Sequence, residues 1–355
     1  MNELNIEQFI YTSTHIKKSG YQIVAQSEGI TRNIISQLKL YMYPIGVELK
    51  FFKESRSLVL LEDDLVAYSR IKNVGIGHDG RSNTLYNHTM IISKNDFKKC
   101  NNDSRIFDEY YREDRRIRKL STLRIDSKQV LNPTNLNIAI PLLNEILYSI
   151  FTDKKIAILL DDPELPQKII AFLPISMRLI SFSTHVVDPN KQSKYNFILN
   201  AKLNKFIVNE DYKIISPDKI SQNYEESSLK KSVSDYVNWI IQYDHKKIQE
   251  IHDLFEKNPG DSNKNKLILA TNYIQFKESL DKEQKSQCAN NILEILKEFN
   301  PIIFKEYFDK IKNSLEKYQK IEDMKLPQID SFENFNEALF YYSKYLKNIV
   351  ILFEK

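Results

Sequence analysis

The chain has 355 residues, 42% of them hydrophobic and 11% aromatic, so it can bury a core that a disordered chain could not. Its 51 Lys+Arg and 47 Asp+Glu nearly cancel to a formal +4, which excludes a chain-wide electrostatic footprint for nucleic acid or an anionic membrane surface. Cys100 and Cys288 are too few and too far apart for a secreted disulfide scaffold. The opening residues carry Glu3 and Glu7 and lack a basic run followed by an apolar one, so no signal peptide is expected. No stretch approaches about 18 apolar residues, so no transmembrane helix is expected and a reducing cytoplasm is the expected compartment.

In chain order, Gln8–Thr12 and Tyr21–Gln26 are predicted strands around a Lys-Lys-Ser-Gly turn. Ser27-Glu28-Gly29-Ile30-Thr31 reads as the entrance to a helix over Arg32–Tyr41. Phe51-Phe52 is a short strand candidate. Ser57–Leu61 and Leu65–Val74 bracket the acidic turn Glu62-Asp63-Asp64 and read as a hairpin, and Thr89–Ser93 as a further strand. Asp96 opens a short helix or loop, and the charged stretch Asp103–Lys119 has helical composition.

A second run of elements begins near Leu136. Ile138–Phe151 has helical spacing, and Ile156–Leu160 is a continuous apolar run of the kind found in buried strands. Leu165–Phe172 reads as a helix; Leu179–Ser183, Tyr195–Leu199 and Lys205–Val208 read as strands.

From about residue 225 the pattern changes. Apolar residues from Leu229 to Phe255 recur at three- and four-residue steps, predicting one amphipathic helix closed by Asn258-Pro259-Gly260. A helix over Lys266–Ser279 follows. Asp281 with Gln284 reads as the N-cap of the next, which ends at Asn300-Pro301, and a last helix covers Phe332–Phe353. The glycines agree with this division: Gly20, Gly29, Gly46, Gly75, Gly77 and Gly80 lie in front, and only Gly260 lies behind. All eleven arginines stand at or before Arg178.

The expected fold is α+β: N-terminal (1–130) and middle (131–215) units built on a mixed or antiparallel sheet, then an α-helical C-terminal domain (225–355).

Three groups of segments resemble a known family. They are Tyr11-Thr12-Ser13 with Gly20–Ala25 and Ser27-Glu28-Gly29-Ile30; Arg70, Val74-Gly75, Asp79–Asn83 and His88-Thr89-Met90; and Leu173-Pro174, Arg178 and Ser181-Phe182-Ser183-Thr184. Their order and spacing resemble the GTPase-associated protein 1 family of prokaryotes, type 2 N-terminal domain and following middle domain, over roughly residues 8–200. The resemblance implies association with a small Ras-like GTPase, or another protein of the same multi-component intracellular system, of a kind that includes immune ones. It implies no catalytic mechanism and no cofactor. The helical rear matches nothing in it.

Several motifs carry chemistry on paper. Gly75-Ile76-Gly77-His78-Asp79-Gly80 spells G-x-G-x-x-G, but a strand rather than a helix is expected after it, so the helix N-terminus that would hold a pyrophosphate is missing. The reading is a glycine turn whose Asp79, Arg81 and Asn83 bond its own backbone. His78, Asp79 and His88 lack a metal-ligand spacing. There is no P-loop, so any GTP belongs to a partner. Cys100 stands beside Lys98 and Lys99, which could lower its pKa. Asp161-Asp162 reads as a cap before the next helix rather than a magnesium site. His245 and His252, about 10.5 Å apart along a helix, read as solvated.

Arg105–Lys128 holds eight Lys/Arg against five acids around Tyr110-Tyr111. A mixed-charge stretch with i,i+4 pairs such as Asp114 to Arg118 is most often a solvated face; nucleic acid and protein contact are comparable alternatives to that. The partner-binding candidates are His78, Asp79, Arg81, Asn83, His88, Tyr110, Arg112, Arg115 and Arg116, with no catalytic residue, metal ligand or membrane contact expected. The competing readings are a metal-dependent effector enzyme, nuclease or nucleotide hydrolase, using His78, Asp79 and His88, and a nucleic-acid-binding module using the Arg-Tyr stretch.

Overall fold

The computed structural model describes residues 3–14, 20–42, 52–77, 80, 82–113, 119–126, 136–184, 195–199, 212–220, 227–256, 262–282, 287 and 291. The chain forms two compact units: Met1–Ile150 with Lys154–Gln222, and Phe151–Asp153 with Asn223–Lys355.

The first unit is organised by a mixed sheet of ten strands among the described residues. These are β1 (Glu3–Thr14), β2 (Gly20–Gln26), β3 (Glu54–Leu60), β4 (Leu65–Asn73), β5 (Leu85–Ser93), β6 (Leu123–Asp126), β7 (Lys155–Ile158), β8 (Phe182–Ser183), β9 (Phe197–Leu199) and β10 (Tyr212–Ile215). Their order is β10-β7-β9-β8-β3-β4-β5-β1-β2, with β6 also paired to β1. The front pairs, from β2 across to β3, are antiparallel. β8 meets β3 antiparallel and β9 parallel, and the sheet continues parallel through β7 to β10. The two-residue β8 therefore joins an antiparallel meander to a short parallel segment.

Strand pairing sets which side chains share a face. Arg56, Arg70, His88 and Ile10 are successive cross-strand partners and form one row; Ser57, Ser69, Thr89 and Phe9 form the next row on the opposite face. The face of Phe9 is covered by α1 (Arg32–Leu38), which contributes Ile34 and Leu38 at a four-residue step, and by Tyr41, Met42 and Tyr195. Thr31 starts α1 as expected, accepting the Ile34 N–H at 3.3 Å. The opposite face meets Phe107, which stacks on Tyr68 at 5.1 Å and on Phe97 of α2 (Lys94–Lys99) at 5.8 Å.

The described part of the second unit is helical: α5 (Ser228–Ile241), α6 (His245–Glu256) and α7 (Asn263–Asp281), after α3 (Ile140–Phe151) and α4 (Leu165–Ile170) of the chain's middle. Residues 266–274 of α7 are buried without a break, so this helix is enclosed on all sides.

Four local expectations are corrected. The single helix expected from Leu229 to Phe255 is two. Tyr243 takes a left-handed φ of 54°, its N–H donates to the Ile240 carbonyl at 3.1 Å, and the Asp244 N–H donates to the Trp239 carbonyl at 2.9 Å. That is a Schellman ending made without glycine. Asp244 then caps α6 by accepting the Lys247 N–H at 3.2 Å. Asp281, read as an N-cap, is the last residue of α7. Of the helix expected over Asp103–Lys119, the front part is a 3₁₀ turn, Ser104–Tyr110, followed by extended chain at Tyr111, and residues 114–118 lie outside the described residues. Phe52 lies outside any strand, and β3 begins at the charged Glu54 rather than Ser57. Two short strands, β6 and β10, were not expected. Phe51, Lys205–Val208 and Phe332–Phe353 lie outside the described residues.

Candidate partner-binding surface

Of the candidate residues, the described one between β4 and β5 is Asn83. The loop between them is closed by two backbone bonds of 2.8 Å, Val74 N–H to the Thr84 carbonyl and Thr84 N–H to the Gly75 carbonyl. Gly75 and Gly80 have φ of 75° and 73°, backbone that a side chain would strain. Asn83, at φ 57°, accepts from Asn73 Nδ2 at 3.3 Å, and Asn73 Oδ1 accepts the Gly75 N–H at 2.9 Å. The G-x-G-x-x-G letters thus lie in a strand–loop–strand turn with no helix after it; the bond expected from Asn83 to the loop backbone is instead one to the Asn73 side chain, and Asn73 is what holds the loop backbone. Ile76, within this braced loop, is 70% exposed. His78, Asp79 and Arg81 lie outside the described residues.

A second segment, Tyr111–Glu113, lies over the end of β4: Lys72 pairs with Glu113 at 3.2 Å, on the face opposite to Asn73, which holds Asn83. Arg70 and Lys72 lie over the Tyr111 ring at 4.5 and 5.0 Å. Arg112 belongs to this segment and is exposed, whereas the half-buried Tyr110 ends the preceding 3₁₀ turn, with Glu109 and Cys100 as its titratable neighbours. Arg115 and Arg116 lie outside the described residues. Arg105 is committed to Asp103 through its Nε at 2.9 Å.

His88 does not belong to the surface. It is 0% exposed in β5. Its Nδ1 accepts the Arg112 N–H at 3.1 Å, so Nε2 carries the proton and donates to Gln8 Oε1 at 2.9 Å. Burial, and secondarily the charge of Arg112, pushes its pKa down to about 4. A ring with both nitrogens engaged and no access is a poor contact residue, and the enzyme reading loses its third named group.

Below the surface lies a charged cluster that sequence reasoning missed. The Arg56 guanidinium, 6% exposed, donates to Glu54 at 2.8 Å, Asp108 at 2.7 Å, Gln167 at 3.0 Å and Glu164 at 3.0 Å. Arg70 donates to the same Glu54 at 2.8 Å, and Tyr68 Oη donates to Asp108 at 2.7 Å. Burial pushes the Asp108 carboxyl above its ordinary value, more than Arg56 and Tyr68 lower it. Burial would raise Glu54 too, but its bonds to Arg70 and Arg56 hold it below the ordinary range. Three anions and two cations satisfy one another here, so the cluster binds the molecule together rather than offering a free charge. The sequence signal was the alternation Glu54-x-Arg56-x-Leu58 beside Tyr68-x-Arg70-x-Lys72, which puts the charges on one strand face.

Other named residues are structural. Asp162 accepts the Glu164 N–H at 2.9 Å in the turn before α4, whose N-cap is Glu164, so Asp162 braces the approach to the helix rather than capping it as expected. Burial, with Asp96 and Asp103 nearby, pushes the Cys100 thiol up to about 11, against the lowering expected from Lys98 and Lys99. His252, read as solvated, is buried and bonded to Tyr236 Oη at 3.1 Å, whereas His245 is exposed. Among the described residues no group of three or more His, Cys, Asp or Glu is placed to hold a metal ion, and no helix is long and apolar enough to cross a membrane.

Of the segments that carried the family resemblance, several meet in this sheet. Thr184 accepts the Arg56 N–H at 2.9 Å, and buried Arg178 donates to the Leu173 and Asn101 carbonyls at 2.7 and 3.1 Å. No curated protein matches the chain. Among solved structures, the K. lactis Lst4 longin domain is 14% identical, with 30% of this chain and 70% of that one covered and a TM-score of 0.21, a likeness too slight to speak for the fold. A family model described as GTPase-associated protein 1, N-terminal domain type 2, matches residues 5–108. This stretch, which builds β1 to β5 and reaches Asp108, is what the chain shares with the GTPase-associated protein 1 N-terminal domain of type 2.

Proposed function

We propose that this chain is a non-catalytic adaptor or regulator that docks a small Ras-like GTPase within a multi-component intracellular system of the defence type. The observation that carries the reading is the family match over residues 5–108. The absence of a P-loop from the sequence is in keeping with it, because the nucleotide then belongs to the partner. The contact surface in this reading is the β4–β5 loop, with Ile76, His78, Asp79, Arg81 and Asn83, together with Tyr110, Arg112, Arg115 and Arg116. Arginine and tyrosine lose little freedom per contact and are favoured at interfaces, and a loop braced at its base loses less entropy on binding than a loose one.

The test is retention of a small Ras-like GTPase encoded beside this chain, loaded with GDP or a non-hydrolysable GTP analogue, on the immobilised full chain. Retention in at least one nucleotide state is expected, and Arg81→Ala with Arg115→Ala should weaken it about tenfold. No retention in either state would sink the adaptor reading; retention untouched by the two substitutions would sink the surface.

A further inference from the structure

His88 and Gln8 are both buried, on the sheet face that carries Arg56 and Arg70, and each reaches out of the sheet to a different stretch of chain. His88 Nδ1 holds the Arg112 N–H at 3.1 Å. Gln8 Oε1 accepts from His88 Nε2 at 2.9 Å, and its amide nitrogen donates to the Ser121 carbonyl at 2.7 Å. The backbone of Gln8 is itself fixed: its N–H donates to Ser27 Oγ and its carbonyl accepts the Ser27 N–H, both at 2.9 Å. One relay, Arg112–His88–Gln8–Ser121, thus links two described segments, Tyr111–Glu113 and Lys119–Thr122, that lie on either side of the most basic part of the sequence.

We propose that His88 and Gln8 are positioning residues, a buried pin that fixes both segments and so sets how Arg112 is presented to a partner. The geometry requires a neutral ring of one tautomer. With Nδ1 protonated, the Arg112 N–H would face an N–H donor and the bond would be lost. Burial of the ring, and secondarily the charge of Arg112, disfavour that protonation. Gln8 then has its amide oriented by the ring: oxygen toward His88, nitrogen toward Ser121. The effect on binding rests on the contact-surface reading above; the pin itself does not.

Amide hydrogen exchange of the full chain separates the two. His88→Phe fills the space but offers no nitrogen, and exchange at Arg112 should quicken about tenfold, as for loss of one hydrogen bond. Gln8→Leu should quicken exchange over Leu120–Thr122 and leave Arg112 protected, because Nδ1 is untouched. In the unaltered chain, ring 15N shifts of His88 at neutral pH should show Nε2 protonated and Nδ1 bare. Unchanged exchange at Arg112 in folded His88→Phe, unchanged exchange over Leu120–Thr122 in Gln8→Leu, or the opposite tautomer would each overturn the pin. If His88→Phe does not fold, the Gln8 variant and the ring shifts decide. GTPase retention that survives a released Arg112 segment supports the pin as a local device and counts against the contact surface alone.

Discussion

The two faces of β3, β4 and β5 carry adjacent polar rows that are held in different ways. On one face Ser57, Ser69 and Thr89 are buried; Ser69 Oγ and Thr89 Oγ1 are 2.8 Å apart and Thr89 donates to Asn87 at 3.0 Å, while Ser57 is hydrogen-bonded to Tyr195, outside these strands. On the other face, Arg56 and His88 take partners from beyond these strands, namely Asp108, Glu164, Gln167, Gln8 and Arg112. A hydroxyl row can be trimmed with little consequence outside the sheet. A charged row makes the sheet depend on the segments that cover it, because each cover carries a group the buried cation needs. The matched stretch 5–108 ends at Asp108, and two of the Arg56 acceptors, Glu164 and Gln167, lie well past it.

The largest effect that would break this contrast is at Arg56. Arg56→Ala leaves the partly buried Asp108 and Glu54 with fewer cations and opens a hole where the buried guanidinium stood, and should cost about 3–5 kcal/mol in denaturant unfolding. A loss below about 1 kcal/mol would mean that water or Arg70 replaces the guanidinium, and the two rows would then be alike. By contrast Glu164→Gln, at a side chain 47% exposed, should cost less than about 1 kcal/mol, because solvent screens that pair.

Next in size is the response to acid. The folded-state pKa of His88 is lowered to about 4, below an unfolded value of about 6.5. Between these values the unfolded chain takes a proton that the folded chain does not, so stability falls as pH drops through the window. The loss is on the order of 3 kcal/mol by pH 4. His88→Phe should flatten that part of the stability-versus-pH curve. The same slope in both proteins would show that other groups, not this ring, set the acid response. Smaller again, Ser69→Ala should cost about 1 kcal/mol by urea unfolding; a loss as large as that at Arg56 would erase the difference between the rows.

What the sequence made legible follows the same divide. Strands with apolar alternation or runs, such as β2 and β4, could be read because burial dictates their residue types. β5 was recognised only from Thr89 onward, because Asn87 and His88 look like loop residues until Met42 and Gln8 are seen to satisfy them at 2.9 Å each. Glu54 and Arg56 were left out of β3 for the same reason: charge reads as surface, and only Asp108, Glu164 and Gln167, 52 to 111 residues away, make it interior. The break between α5 and α6 was hidden because the apolar spacing runs through it and Tyr243 fills a position where glycine would have given the signal. In the candidate surface, Asn83 could be placed from turn chemistry, whereas His88 could not be told from a surface histidine without its fold partners.

The smallest structural effect, and the sharpest for function, is at Ile76. This side chain is 70% exposed within a loop whose base is closed by Val74, Thr84 and Asn73. Ile76→Asp removes little buried surface and leaves the Val74, Thr84 and Asn73 bonds in place, so unfolding free energy should stay within about 0.5 kcal/mol of the original. If the loop is the docking surface, the same change places a charge where a partner would bury a methyl group, and retention of the GTPase should drop about tenfold or more. Arg56→Ala would lower binding too, but only by unfolding the sheet, and the two are told apart by thermal melting of each variant. An Ile76→Asp protein that melts normally and still retains the partner would move the contact away from this loop. One that melts normally and loses the partner would separate the braced loop, which binds, from the charged row beneath it, which holds the sheet together.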